Sequence, residues 1–430
     1  MRLAFAGLFA LGCLVGCGDD GGSGAGGAGG AGGSGGSAGG GSGGSGDGEL
    51  VTSFALGQDH VCAVGSQGSL KCWGQNASGQ LGQGNTDTLG DDELPSSAPV
   101  VDVGGKVVQV AAGGAHTCVL LDTGDVKCFG ANQFGQLGYG MTNTIGDDEL
   151  PSGIGNVDLG GKAKQVVAGR DFSCALLTDG TVRCWGAAGT WLGLGRLEAV
   201  GDDEVPTAVE PVNVGGSVVA LNAAVFNVCA RLDSGSLRCW GWANSSPYSG
   251  MEIGDDETPA DAGDVDVGAK VTQASSSPAH TCVTTVEGHV RCWGQGNDFQ
   301  LGYGGADAVG DDESPASVGD VPLVDAVVSV AAFRTGTCAL TTAGEVKCWG
   351  KGPALGTGNA NPVTTAASAI AIQLGGKPTA IGSSPFRVCA LLDSGFHCWG
   401  AGNGGALGYG STDDVGDDET PASVGPVSVF

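Results

Sequence analysis

Basic residues are scarce in this chain: 18 Lys and Arg stand against 46 Asp and Glu, a formal net charge of −28. A surface so negative repels phosphate backbones and anionic headgroups, and no Lys/Arg cluster offsets it, so nucleic acid is not an expected partner. Cations and basic protein surfaces suit it better. Catalytic signatures are missing too. The repeated part of the chain holds no Gly-x-Ser-x-Gly elbow, no His-Glu-x-x-His and no phosphate loop, so no reaction class is announced and the chain reads as non-catalytic. The apolar run from Leu3 to Val15 is too short to span a bilayer as a helix.

What is abundant is repetition. Seven cysteine pairs, Cys62/Cys72, Cys118/Cys128, Cys174/Cys184, Cys229/Cys239, Cys282/Cys292, Cys338/Cys348 and Cys389/Cys398, start about 51 to 56 residues apart. A period of that length marks one repeat array rather than separate domains. In the second copy, Lys106 to Ala112, His116 to Leu121 and Asp125 to Gly130 read as strands, with turns at Gly113-Gly114 and Asp122-Thr123-Gly124. Gly155 to Gly160 reads as a fourth. Four short antiparallel strands per copy predict a blade, and seven copies predict an all-β, seven-bladed β-propeller over residues 49–430. The first copy has no Val-Asp-Val segment in front of Glu49, whereas Val424 to Phe430 has that character. The C-terminal strand is therefore expected to complete the first blade and close the ring.

Each hairpin sets its two cysteines opposite one another, which predicts cross-strand disulfides. A loop of about eleven residues closed this way contributes roughly 2 to 3 kcal/mol in the chain-entropy picture. Paired thiolates on a metal are the alternative, although zinc sites use tighter cysteine spacing and the companion histidines are missing. The seventh pair is one residue closer in sequence, which predicts a different register. Paired cysteines in this number point to an oxidising compartment, and the N-terminus agrees: Arg2 followed by an apolar run has the layout of an export signal. Leu14-Val15-Gly16-Cys17 resembles the lipobox of bacterial lipoproteins. That resemblance implies a signal peptide over residues 1–17, Cys17 as the lipid anchor, and, with Gly18 following, an outer-membrane or cell-surface location in a bacterial envelope. An ordinary secretory signal is the alternative. Residues 18–48 are almost all Gly, Ser and Ala and read as a disordered linker, with a taut reach on the order of 100 Å.

The motifs within the copies carry a resemblance. Gly113-Gly114-Ala115-His116-Thr117, then Gly124-Asp125-Val126-Lys127-Cys128-Phe129-Gly130, then Asn132-Gln133-Phe134-Gly135-Gln136-Leu137-Gly138 resemble the repeat of the regulator of chromosome condensation family, and the paired cysteines resemble those of secreted bacterial relatives. The resemblance implies the propeller fold; that fold hosts exchange factors, photoreceptors and protein inhibitors, so it implies no single activity. The plant photoreceptors of the family use tryptophans beside the His-Thr step, and none stands there.

Six copies end their hairpin in Trp-Gly, at Trp73, Trp185, Trp240, Trp293, Trp349 and Trp399, and one in Phe129-Gly130. An aromatic in every copy suits packing between blades better than a single site. His60, His116 and His280 share one slot that Phe172, Asn227, Gly336 and Arg387 fill elsewhere, and read as structural. The motif Gly-Asp-Asp-Glu recurs in six copies: Asp91, Asp92, Glu93; Asp147, Asp148, Glu149; Asp202, Asp203, Glu204; Asp255, Asp256, Glu257; Asp311, Asp312, Glu313; and Asp417, Asp418, Glu419. Three readings stand for it: a turn, a Ca²⁺ site lacking part of its oxygen shell, or a partner contact. Function in a repeat protein is expected where one copy departs from the others. The departures include Ala187 to Trp191 and Trp242 to Met251, which offer Trp191, Trp242 and Tyr248 as contact anchors. The expected function is a monomeric, lipid-anchored surface propeller that binds a protein or surface polymer. A calcium-loaded adhesion propeller and an extracellular polymer hydrolase or lyase are the alternatives.

Overall fold

A computed structural model describes residues 48–242 and 251–430. The expected signal segment with Cys17, the linker up to residue 47 and Tyr248 lie outside the described residues.

Among the described residues the repeats form seven three-stranded antiparallel sheets in a propeller-like, all-β arrangement. In the second repeat the strands are Val107–Ala112, His116–Leu121 and Val126–Gly130. The middle strand is buried on both faces, because a sheet of its neighbours lies on either side, and this is why it reads as a continuous apolar run. The hairpin turn is three residues long. Leu121 N–H donates to Asp125 O (2.8 Å) and Gly124 N–H to Leu121 O (2.9 Å), with Gly124 at φ +80°, a conformation glycine adopts without a Cβ penalty.

That turn sets Cys118 against Cys128. The same register places Cys62 opposite Cys72, Cys174 opposite Cys184 and Cys229 opposite Cys239. It also places Cys282 opposite Cys292 and Cys338 opposite Cys348. The sulfurs of all seven pairs lie 2.04–2.12 Å apart. Sulfurs so close are bonded to one another, so the alternative of paired thiolates on a metal does not apply. In the seventh hairpin the missing residue is absorbed by a two-residue turn between Leu392 and Gly395, so Cys389 still faces Cys398, contrary to the expected change of register there.

The expected fourth strand is not formed. Val157 N–H donates to Val126 O (2.9 Å), but Asp158 then accepts from Gly160 N–H (3.2 Å) and the chain bends away at Gly160, φ +72°. One ladder bond and two buried side chains, Val157 and Leu159, are all that this segment adds to the edge. The C-terminal segment obeys the same rule, which corrects its assignment to the first blade: Val427 N–H donates to Phe396 O (2.7 Å) on the outer strand of the seventh sheet. Its ties to the first repeat are Ser428 O, which accepts from Ser96 N–H (2.9 Å), and the Phe430 ring, over which Lys71 Nζ stands at 5.7 Å. Asp102 O and Ser152 N–H make the equivalent bond between repeats one and two (3.0 Å).

Repeats are joined by their hairpin aromatics. Four buried indoles donate to a loop carbonyl of the preceding repeat: Trp185 to Gln136 O (3.0 Å), Trp240 to Trp191 O (2.9 Å), Trp349 to Gln300 O (3.0 Å), Trp399 to Ala354 O (2.9 Å). Trp73 does the same to Ala406 O of the seventh repeat (3.1 Å), and Phe54 meets Phe396 edge-on at 4.9 Å. The preceding loop approaches so closely that a Cβ at Gly138 would stand 2.7 Å from the Trp185 nitrogen. Replacing Trp185 by Phe, the natural occupant in repeat two, should therefore cost about 1 kcal/mol for the lost hydrogen bond. Trp185→Ala should cost about 3 to 5 kcal/mol through the cavity. Urea denaturation of both variants checks this; equal losses would assign the seam to the hydrogen bond alone.

Candidate functional site

The histidine slot proves to be a joint between repeats. His60 Nε2 lies 2.9 Å from Thr117 Oγ1, His116 Nε2 2.9 Å from Ser173 Oγ and His280 Nε2 2.7 Å from Thr337 Oγ1, each partner being in the next repeat. Those hydroxyls donate onward to Gln80 O, Gln136 O and Gln300 O, so the imidazole must donate from Nε2. Burial depresses all three rings, His60 and His280 to about 3 and His116 to about 4, with the charges of His116 and Arg387 adding to the effect on His60. In the seventh repeat Arg387 fills the slot, fully buried. Its guanidinium donates to Ala401 O (2.6 Å), Gln58 O (2.5 Å) and Asn403 Oδ1 (2.8 Å), and pairs with Asp59 at 3.5 Å. Of the two remaining histidines, His289 pairs with Asp320 (2.8 Å) and His397 is buried.

The acidic motif is likewise seated between repeats. Gly146 at φ +97° presses on Gly79 of the preceding loop, where a Cβ would stand 2.6 Å from Gly79 O, and Gly84 N–H donates to Gly146 O (3.0 Å). The carboxylates that follow converge. Within Asp91, Asp92 and Glu93, and within each of the triads at Asp147–Glu149, Asp202–Glu204, Asp255–Glu257 and Asp311–Glu313, the oxygens approach within 4.8 Å of one another. Each glutamate is pushed up, by partial burial and by a hydrogen bond to the neighbouring aspartate, Glu257 to about 7; at Glu313 the bond to Asp312 is the larger cause. Three carboxylates supply three of the six to eight oxygens Ca²⁺ takes.

Side chains apart from the repeat pattern also gather at the seam of repeats three and four, here around an open cavity. There Trp191 stands where repeats one, two and five carry the loop glutamines Gln80, Gln136 and Gln300, on a loop one residue shorter that forms the 3₁₀ turn Thr190–Leu192. Phe172 occupies the histidine slot and stacks on Trp191 (6.2 Å, 22°). Phe226 is tilted against Trp191 as well (5.6 Å, 43°), and Trp242 meets Phe226 edge-on (5.0 Å, 85°). The Trp191 indole donates to Ala187 O (2.9 Å), which fixes its ring. Trp191, Phe226 and Trp242 line an open cavity of about 330 Å³ together with Leu197 and Thr190, and Glu252 and Asp255 join the lining. Sequence reasoning placed Trp191 and Trp242 here but missed Phe226, which joins them. Its signal was the residue before the histidine slot: Asp59, Ala115, Asp171, Phe226, Ala279, Thr335, Phe386.

Comparison with known proteins bears on the fold that carries this cavity. Residues 51–80, 107–136 and 163–188 match the regulator of chromosome condensation (RCC1) repeat, and a second description of that repeat matches residues 67–120. These matches fall on the first three repeats. It is 29% identical over 310 residues to the ultraviolet-B receptor UVR8 of Arabidopsis thaliana, covering 71% of this chain and 66% of the receptor. It is 30% identical over 263 residues to the human RCC1-like G exchanging factor-like protein, covering 57% of this chain and 53% of that protein. The chain thus spans less than two thirds of the length of these relatives. Among solved structures, that of Kap60 bound to yeast RCC1 (Prp20) aligns with a TM-score of 0.62 at 20% identity, over 78% of each chain, a likeness of fold. The aromatic cavity lies where the third and fourth repeats of this chain leave the common pattern.

The buried histidines give stability a pH dependence of fixed sign. Unfolded imidazole titrates near pH ~6.5, so between about pH 6.5 and 4 the unfolded chain binds more protons and stability falls as pH falls. The raised glutamates act oppositely, their contribution being full at low pH and lost as pH rises, through about 7 for Glu257. His116→Phe, which copies Phe172, should flatten the decline of Tm between about pH 7 and 4.5; an unchanged slope would show that His116 is not held neutral.

Proposed function

We propose that this chain is an exported, non-catalytic protein-binding propeller that engages its partner through the aromatic cavity at the seam of repeats three and four. The observation that carries this reading is the cluster of Trp191, Phe226 and Trp242 around an open cavity. Exposed aromatics fixed by packing are the usual anchors of protein interfaces, because they bury much area at little cost in side-chain entropy. RCC1-repeat proteins support the class of activity, since yeast RCC1 is seen bound to Kap60. Where the turns of repeats four to seven meet, the small cavity is lined by Ala224, Ser276, Ser277, Pro278, Ser383 and Ser384; Ser277 Oγ lies 2.9 Å from His280 Nδ1, but burial lowers that imidazole to about 3, too weak a general base at neutral pH. That favours binding over a polymer hydrolase or lyase.

The location belongs to the same proposal. Seven cysteine pairs at bonding distance suit an oxidising compartment, and the sequence before Cys17 suits a lipidated envelope protein held by a Gly/Ser leash. No helix among the described residues is long and apolar enough to cross a membrane.

Two measurements test the reading. Affinity capture from envelope material with the full chain is expected to retain a partner that Trp242→Ala loses while keeping the Tm; capture unchanged by Trp242→Ala would reject the cavity as the anchor. Metabolic labelling with palmitate is expected to mark the chain and to be abolished by Cys17→Ser, and an unlabelled wild-type chain would remove the lipid anchor.

A further inference from the structure

The cavity has a composition that selects among partners. We infer that its occupant is the cationic side chain, arginine or lysine, of a partner protein; this rests on the protein-binding reading above.

Charge is the first argument. Among the described residues the polar side chains lining the cavity are Thr190, Glu252 and Asp255, with no Lys or Arg. Asp255 also begins the triad it shares with Asp256 and Glu257, and the whole chain carries −28. Such a lining offers acceptors to a donor-rich cation and little to an anion. Ring geometry is the second. The planes of Trp191, Phe226 and Trp242 are inclined at 43° and 85° to their neighbours with centroids 5.6 and 5.0 Å apart. Mutually inclined rings make a cage of π-faces and edges around a compact group, whereas a flat sugar asks for a platform and for amide donors, and the described lining residues include neither Asn nor Gln. A cation near an aromatic face gains from the ring quadrupole, and more so when a carboxylate stands by. The third argument is an example within the molecule: Arg170 already lays its guanidinium over Phe226 at 5.8 Å while pairing with Asp171 at 3.4 Å. The ring that joins the cavity's two tryptophans thus takes a guanidinium in this fold. Size is the fourth, since about 330 Å³ is at the small end of ligand pockets and suits one side chain rather than a polymer.

The test is calorimetric titration of the full chain with end-blocked tetra-arginine, and with tetra-glutamine as the neutral probe. Tetra-arginine should bind more tightly than tetra-glutamine. Trp242→Leu should weaken it about fivefold or more, the factor that a cation–π contact of ordinary strength gives. The pair Glu252→Gln with Asp255→Asn should weaken it similarly. Asp147→Asn with Asp148→Asn removes the same charge from repeat two and should leave binding unchanged. Equal weakening by that control, or none by Trp242→Leu, would reduce the effect to general attraction by an acidic surface and overturn the inference. Equal binding of tetra-glutamine would overturn it as well. The outcomes separate from those of the capture experiment: partner capture lost in Trp242→Ala, with no site-dependent peptide binding, refutes the cationic occupant alone. Capture unaffected by Trp242→Ala, with site-dependent binding of tetra-arginine, refutes the partner reading alone.

Discussion

The contact between one repeat's hairpin aromatic and the preceding repeat's loop carries the rest of the structure. A three-stranded sheet buries its middle strand only if another sheet covers each face, so no repeat holds its apolar residues out of water alone. The indole supplies both area and a donor, and the loop carbonyl it meets is the one that takes the Thr or Ser hydroxyl: Gln136 O receives Trp185 and Ser173, and Gln300 O receives Trp349 and Thr337. The same hydroxyls receive the preceding repeat's histidine. Carbonyl, indole, hydroxyl and imidazole therefore form one polar joint inside an apolar seam, in which Nδ1 of His60 and of His116 is left without a partner.

Much of this was legible because repetition multiplies a signal. The period, the three strands, the cysteine register and the structural part of Trp-Gly follow from patterns seen seven times. What failed was context that one copy does not show. Val157 and Leu159 alternate as a strand would, but Gly160 and the Asp158 turn stop the ladder after one bond. The end of the chain was assigned to the first blade by its similarity to linking segments, whereas those segments pack on the sheet they follow. The seventh hairpin's deletion was absorbed in its turn, because a two-residue loop is as good a hairpin as a three-residue one. Of the site, Trp191 and Trp242 were visible as departures. Phe226 was not, because an aromatic in a variable slot shows its use only when a tryptophan from the next loop arrives beside it.

The slots that vary are informative for that reason. Phe172 in place of histidine and Trp191 in place of glutamine replace the polar joint of repeats three and four by an aromatic stack, at the seam where the open cavity stands. At the seventh repeat the replacement is Arg387, whose buried guanidinium is satisfied by Gln58 O, Ala401 O and Asn403 and is balanced by Asp59. One joint gave up polar pairing for an aromatic surface, and the joint between the last and first repeats gained an ion pair.

All seven cysteine pairs lie within single hairpins, nine or ten positions apart, and none crosses from repeat to repeat. Fourteen cysteines taken at random would present an oxidase with a very large set of wrong pairings. Here the correct partner is the nearest thiol each time, so that Cys72 finds Cys62 and Cys184 finds Cys174, and a hairpin of this length closes within microseconds. Each bridge can thus be laid down within its own segment as that segment emerges into an oxidising compartment, before the following repeat is present to be mispaired with.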